Sequence, residues 1–489
     1  MAFDFTQIPL TVNSPGNYVE FDFSQMQSGL PTAVVKVLIV GQMLPSGTAS
    51  ADTLYQITGG WNQAKLLFGQ GSMLANMIDA YRQNDTTIDI WAMALADNGA
   101  GVAATGSFAY TGPATAAGTI EEMVEDQRIQ VGVTVGMTAS QIATAVAAAI
   151  NAIPDLSATA AASTGTVTVT SRHKGAETNS IYLAHNYHQG DVTPAGVTVT
   201  VTPMSGGTTN PDATAIFTAL GDAPFQYMIH PWTDAANVAI FENALTDRAN
   251  AMKMNYGVAL TVNGSSYSGL LTMVASRNSA FAPIAAMQRT PWPTWKMAAG
   301  TGAQVAYSAT NALGCPYTGL VIQGALPPLP GDLFDGTERE ALLAAGVATL
   351  MVNASNQVVI QRMVTTYKTN AQGFPSTGLK SLNAILLMFY LSWSQQAEIA
   401  SKFPNYKLGD DGTVYGPNAK VVTPSQIKGV LAALAGQWAF AGLIEDLAAY
   451  VSALLVQRDP NSQDRVNSFQ QPNLINEFNV LASLIQPKA

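Results

Sequence analysis

The residue types that could carry chemistry in this chain are few, and their spacing argues against most reactions. Three of its four histidines, His173, His185 and His188, lie close enough in sequence to raise the idea of a metal site. They have no Cys or carboxylate at ligand spacing and read as surface histidines of a polar loop. No Gly-Lys dipeptide occurs, so there is no Walker A loop to hold a nucleotide phosphate. Gly69-Gln70-Gly71 precedes a helical segment, but Leu74 stands where a dinucleotide loop needs its third glycine. GSSYSG, from Gly264 to Gly269, lacks the spacing of a nucleophile elbow. Arg82, Arg277 and Arg362 could join subunits by ion pairs, although solvated or intrachain pairs are the commoner outcome. The seven tryptophans do not fall at stacking spacing, and packing in a core or interface is their default role. The expectation is a chain that is not an enzyme, with no catalytic residues, no cofactor and no metal.

Composition points the same way. Only 11 % of the 489 residues are charged, against a usual quarter or so, while 48 % are apolar. So weakly charged a surface suits a protein that is packed against others. A net charge of −10, with no Lys/Arg stripe, argues against a nucleic-acid partner. The single cysteine, Cys315, excludes an intrachain disulfide, and MAFDFTQIPL has neither region of a signal peptide, so a cytosolic chain is expected. The longest apolar helical tract, Val430 to Val456, is interrupted by Gln437, Glu445 and Asp446. That makes it a core helix pair, and no membrane insertion is expected.

What the chain must position is therefore a set of strands. Thr337 to Asn370 reads as a small unit: Thr337 caps a helix, Glu340 closes the capping box, Gly346 ends it, and Val347 to Val352 and Val358 to Tyr367 form a β-hairpin about the Asn353 to Asn356 turn. A lone hairpin is marginal in water, so partner strands are expected on its flanks. Upstream, Val34 to Val40 is a strand buried on both faces, followed by a helix around Met73 to Arg82 and a second buried strand, Ile88 to Leu95. Residues 99–208 turn rich in Ala, Thr and Gly, with short strands at Ile129 to Val135, Thr166 to Thr170 and Val197 to Thr202 around a helix, Ala139 to Asn151, capped by Thr138 or Ser140. The α/β alternation then resumes to residue 330, and two long helical tracts, Ser381 to Lys402 and Ser425 to Val456, precede a polar spacer, Arg458 to Pro472. The predicted fold is α/β (α+β) and multi-domain, with an open α/β domain (34–98 and 209–330) interrupted by a β-rich insertion (99–208). A C-terminal helix/hairpin domain (331–460) and extended arms (1–33 and 461–489) complete it.

The arms carry their own pattern. Val19, Phe21 and Phe23 alternate with Glu20, Asp22 and Ser24, a half-buried strand with no hairpin mate nearby. At the other end the apolar residues of NLINEFNVLASLIQ fit a helix or a strand equally well.

Four stretches together resemble the contractile phage tail sheath proteins, and within them the Mu-like branch: SPGNYVEFDFS, LLFGQGSMLANMIDAYRQN, the helix-hairpin LLAAGVATLMV with VVIQRMVTTYKTN, and RDPNSQDRV with PNLINEFNVLASLIQ. The resemblance implies a homo-oligomer of hexameric rings stacked around a tail tube protein, with baseplate and tail terminator proteins as further partners. It implies a virion location in the phage tail after assembly in the host cytoplasm. It also implies strand exchange, in which Val19, Phe21 and Phe23 of one copy, and Phe478, Val480 and Leu484 of another, complete the sheet that contains Val358, Ile360 and Val364. A sheath from an R-type bacteriocin or other contractile injection system would share this architecture. The rivals of another class are an α/β hydrolase-like enzyme with an accessory β domain and a glycan-binding adhesin using 99–208.

Overall fold

The apolar run Val37–Val40 is fully buried at the centre of β1 (Lys36–Gln42) in the computed structural model, which describes residues 11, 14, 16, 30, 31, 33–416 and 419–487. Val19, Phe21 and Phe23 lie outside the described residues. The described residues fall into two units, a larger one of 34–390 with 474–487 and a smaller one that contains 391–473.

In the larger unit β1 leads to β2 (Leu54–Ile57), α1 (Gly60–Phe68), α2 (Met73–Asn84) and β3 (Asp89–Leu95). Ser72 caps α2 by accepting from the Ala75 amide at 3.2 Å. Next come β4 (Thr105–Tyr110), β5 (Gly118–Val124), β6 (Gln127–Val133), α3 (Ala139–Asn151), β7 (Ala158–Ser163), β8 (Thr166–Ser171), β9 (Leu183–His185) and β10 (Val199–Ser205). These strands build two antiparallel sheets, β10-β4-β8-β7 and β6-β5-β9. Helix α3 opens on a capping box between Thr138 and Gln141 and buries Ile142, Val146 and Ile150 at helical spacing.

The α/β rhythm returns with α4 (Thr214–Leu220), β11 (Tyr227–Ile229), α5 (Ala235–Arg248), β12 (Val258–Asn263), α6 (Tyr267–Ala275), β13 (Ile284–Ala286), α7 (Thr294–Asn311), α8 (Gly336–Ala345), β14 (Ala348–Val352) and β15 (Val358–Arg362). One eight-stranded sheet results, in the order β15-β14-β13-β12-β11-β1-β3-β2. It is parallel from β14 to β3, with antiparallel strands at both edges. Alternation along β1 assigns the two faces: Val37 and Ile39 pack with α2 and α7, while Leu38 and Val40 pack with Ile216, Leu220, Phe241 and Leu245 of α4 and α5. Helix α7 lies close against the sheet because Gly302 faces Ile229, whose Cδ1 would stand 2.4 Å from any added Cβ. By composition alone, Pro291 and Pro293 mark a loop and hide this helix. Pro293 is in fact its N-cap, a place where a missing amide costs no helical hydrogen bond.

Three expectations need correction. Helix α8 is capped by Asp335, which accepts from the Glu338 amide at 2.7 Å, while Glu338 Oε2 accepts from the Asp335 amide at 3.1 Å. The motif therefore begins two residues before Thr337, where a carboxylate also suits the helix N-terminus. The hairpin is not a lone unit, because β14 pairs with β13 and extends the main sheet. A domain boundary at residue 331 thus separates strands of a single sheet. Finally, the tract Ser425 to Val456 is a helix pair only as far as Ala453, and Leu455 and Val456 belong to a strand.

In the smaller unit the chain continues from α9 (Leu382–Lys402), whose first turns belong to the larger unit, through β16 (Lys407–Leu408), β17 (Val421–Val422), α10 (Pro424–Phe440), β18 (Ile444–Glu445), α11 (Leu447–Ala453), β19 (Leu455–Arg458) and β20 (Val466–Phe469). The break after Phe440 follows from Gly442 at φ +70° and Asp446 at φ +50°, both left-handed. Trp438 is buried in this unit and donates from Nε1 to Ser394 Oγ at 3.0 Å.

Candidate assembly surface

The place where a doubly wound sheet holds a ligand is filled here by the chain itself. Such sheets bind at the carboxyl ends of their strands, where the strand order reverses, which in this sheet is around β1. Gln42, at the end of β1, donates from Nε2 to Asp97 Oδ1 and to the Lys174 carbonyl, each at 2.7 Å. His173 Nδ1 lies 2.9 Å from the same Asp97 oxygen, and His173 Nε2 accepts the Met73 amide at 2.9 Å. That amide opens α2, where a phosphate would sit in a dinucleotide site. A Cβ at Gly71 would strike the carbonyl oxygens of Leu156 and Pro154 at 2.6 and 2.8 Å. Residues of the 99–208 segment thus cover the glycine loop.

His173 is therefore buried and His185 half-buried, contrary to the surface-loop expectation. His185 Nδ1 lies 3.1 Å from Glu122 Oε1, so each ring has a carboxylate partner that sequence spacing does not reveal. Among the described residues no group of three or more His, Cys, Asp or Glu could hold a metal. Arg277 pairs within the chain with Glu242 at 3.0 Å, and Arg82 donates to the Asp85 and Ile88 carbonyls. His230, at the end of β11, is stacked on Phe241 with ring centroids 3.8 Å apart, and burial pushes its pKa down to about 3.

Two carboxylates fix the stability profile of this region. Burial pushes Glu125 up to about 7, against the pull of Lys296, and Glu177 up to about 7, against its hydrogen bonds from Thr233. Each contributes stability that is fully present below the ordinary value of 4.5 and is lost as pH rises through about 7. The melting temperature should therefore rise between pH 8 and pH 5, as read by differential scanning fluorimetry. Glu177→Gln should flatten the slope, whereas an unchanged slope in that variant would remove Glu177 as a cause.

The strand residues expected to exchange between copies separate into two groups. Val358, Ile360 and Val364 are brought together, but all are buried and engaged by their own chain. The outer edge of β15 is occupied by residues 319–322: the Gly319 amide donates to the Ile360 carbonyl at 2.8 Å, Ile360 to Leu320 at 3.0 Å and Ile322 to Val358 at 2.9 Å. Val364 bridges to Ser381. The receptor edge expected there is closed, because a strand buried on both faces cannot leave its backbone groups unpaired. Phe478, Val480 and Leu484 are the opposite case, exposed at 75, 79 and 86 % and outside any strand.

The sequence reading missed β19 and β20, which it divided between a helical tract and a polar spacer. They form a two-stranded antiparallel ladder with Leu455 opposite Phe469 and Arg458 opposite Val466, and among the described residues no further strand joins it. Leu455 and Phe469 are exposed at 59 and 53 %. The turn is well specified: Asp459 accepts from the Asn461 amide at 2.8 Å and from Asn467 Nδ2 at 2.7 Å, and Arg458 Nε donates to the Gln463 carbonyl at 2.8 Å. The Asp459-Pro460-Asn461 turn between alternating runs was the available signal.

The fold is an α/β scaffold whose crevice is filled by its own residues, with a two-stranded ladder and an exposed apolar C-terminal segment among the described residues. Residues 206–366 match the family model described as the phage tail sheath protein central domain. The chain is 35 % identical over 486 residues to the Mu-like prophage FluMu tail sheath protein of Haemophilus influenzae, with 99 % of each chain covered. It is similar in fold to a chain in the cryo-EM structure of the anti-feeding prophage baseplate, at 10 % identity and TM-score 0.50, covering 98 % of this chain and 100 % of that one. A crystal structure of a sheath tail protein from Desulfitobacterium hafniense gives TM-score 0.48 at 12 % identity, covering 94 % of this chain and 100 % of that chain. The chain belongs to the phage tail sheath family. No described helix is long and apolar enough to cross a membrane.

Proposed function

We propose that this chain is the repeating subunit of a contractile tail sheath. It polymerises as hexameric rings stacked around a tail tube and, on release at the baseplate, repacks into a shorter form that drives the tube through a host envelope. It works without catalysis or cofactor, since the free energy is stored in the assembly itself. It is assembled in the host cytoplasm and carried in the virion. The observation that carries this reading is 35 % identity over the full length to a Mu-like prophage tail sheath protein.

The subunits are joined by strand exchange, with the receptor at β19–β20 rather than at Val358, Ile360 and Val364. A two-stranded ladder is marginal alone, and this one has an exposed apolar pair and no third strand among the described residues. The donors are the segments around Val19, Phe21 and Phe23 and around Phe478, Val480 and Leu484. In the C-terminal donor Phe478, Val480, Ala482 and Leu484 fall on one face of an extended strand. Electron microscopy of the purified protein tests the reading: tubes or hollow rings are expected, and a dispersed monomer at every concentration would refute it. Deleting residues 1–25 should leave a soluble, folded monomer that does not polymerise. Normal tubes from that truncation would remove the N-terminal arm from the mechanism.

A further inference from the structure

We propose that Glu477 is the fixed base of the C-terminal arm, the residue that sets where and in what register Phe478 to Pro487 leaves its own subunit to reach a second copy of this chain. This rests on the strand-exchange reading above. The residues on either side of Glu477 differ sharply in what they touch. Upstream, Ile475 is half-buried, and its Cγ2 would lie 3.4 Å from a Cβ added at Gly314. Asn476 points outward, and Glu477 turns back in. From Phe478 to Pro487 every residue is exposed.

The notch that receives Glu477 is built for an acceptor. Glu477 Oε1 accepts from Ser381 Oγ at 2.9 Å and from Asn383 Nδ2 at 2.5 Å. Asn383 is 1 % exposed, and the same amide nitrogen also donates to the Cys315 carbonyl at 2.7 Å. Without Glu477 one amide hydrogen would be buried with no acceptor, a cost that exceeds the net worth of an ordinary hydrogen bond. The notch also lies at the start of α9, whose N-terminal end favours negative charge. The other carboxylate oxygen, Oε2, accepts from Asn479 Nδ2 at 2.9 Å, which orients the first residues of the free segment. A strand exchanged between copies needs a fixed origin, because a slip of one residue turns its apolar face over.

The test uses the full-length chain with Glu477→Ala, Glu477→Gln and a deletion of residues 478–489, comparing the critical concentration for tube formation by sedimentation with hydrogen exchange over 474–477 in the unassembled protein. Glu477→Ala should raise the critical concentration about tenfold and speed the exchange, as expected when the buried Asn383 amide loses an acceptor. Glu477→Gln, which keeps the accepting Oε1, should stay within about threefold of the parent. The deletion should not assemble. Assembly of Glu477→Ala at the parent concentration, with the deletion still inactive, would overturn the base role and leave strand exchange standing. A Gln variant as impaired as the Ala variant would overturn it equally. Normal tubes from the deletion would remove the arm reading and the inference with it.

Discussion

Replacing Phe469 with Asp should give a folded, monomeric chain that forms no tubes at concentrations where the parent polymerises fully. Phe469 is already 53 % exposed, so removing its ring costs the isolated subunit little, within about 1 kcal/mol for a site of this kind. Under the proposed strand exchange the same side chain would lie beside the apolar side chains of an added strand, where an unpaired carboxylate would be desolvated in every copy. The backbone can be tested separately from the side chain. The Asp459 amide donates inward to the Arg465 carbonyl, so by alternation the amides of Val456 and Ser468 point out of the ladder. Ser468→Pro removes one outward donor and leaves the inner hydrogen bonds in place. It should abolish assembly as Phe469→Asp does, with circular dichroism and melting close to the parent's. Tubes from either variant at the parent's critical concentration would move the receptor away from β19–β20.

The difference between legible and hidden features follows from what period and turn chemistry encode. Helix α3 and its Thr138 cap were readable because helical spacing and a capping residue agree locally. The alternation from Ala213 to Met287 was readable because buried parallel strands are short apolar runs between helices. The neighbours of a strand are a different matter, since nothing in Val358–Arg362 reports that residues 319–322 fold back to close its edge. The edge of that hairpin is taken within its own chain, whereas among the described residues the β19–β20 ladder has no further strand. The pairing of His173 with Asp97 was equally hidden, because 76 residues separate them and only the docking of 99–208 on the sheet brings them together. The exposed C-terminal segment was legible in composition but undecided in period, and among its described residues no strand follows Leu474.

Lys296→Met should be strongly destabilising within the larger unit. Lys296 Nζ lies 2.6 Å from Asp126 Oδ2, and both side chains are largely buried between α7 and the β5–β6 turn. Trp292 Nε1 donates to the same oxygen at 2.9 Å, and the ammonium lies 5.1 Å from the Trp292 ring centroid. Next to it Glu125 is wholly buried, at φ +54°, and accepts the Ser157 amide at 3.0 Å. Burial raises the Asp126 carboxyl, but the Lys296 charge and the surrounding hydrogen bonds outweigh it and hold the group below its usual range. Without Lys296, Asp126 and Glu125 are left as adjacent acids with no buried cation, a loss of about 3–5 kcal/mol for a broken buried pair. In a chain of this size that lowers the melting temperature by roughly 3–5 °C. The variant should recover in acid, because its stranded carboxylates are protonated there, so its deficit against the parent shrinks from pH 8 to pH 5. Adding Asp126→Leu should restore part of the loss at pH 8 and more of it at pH 5, since it removes one stranded carboxylate and leaves Glu125, which acid protonates. A Lys296→Met variant that melts with the parent at pH 8 would show that the pair contributes nothing net, and that the docking of 99–208 rests on Asp97, His173 and Glu177 instead.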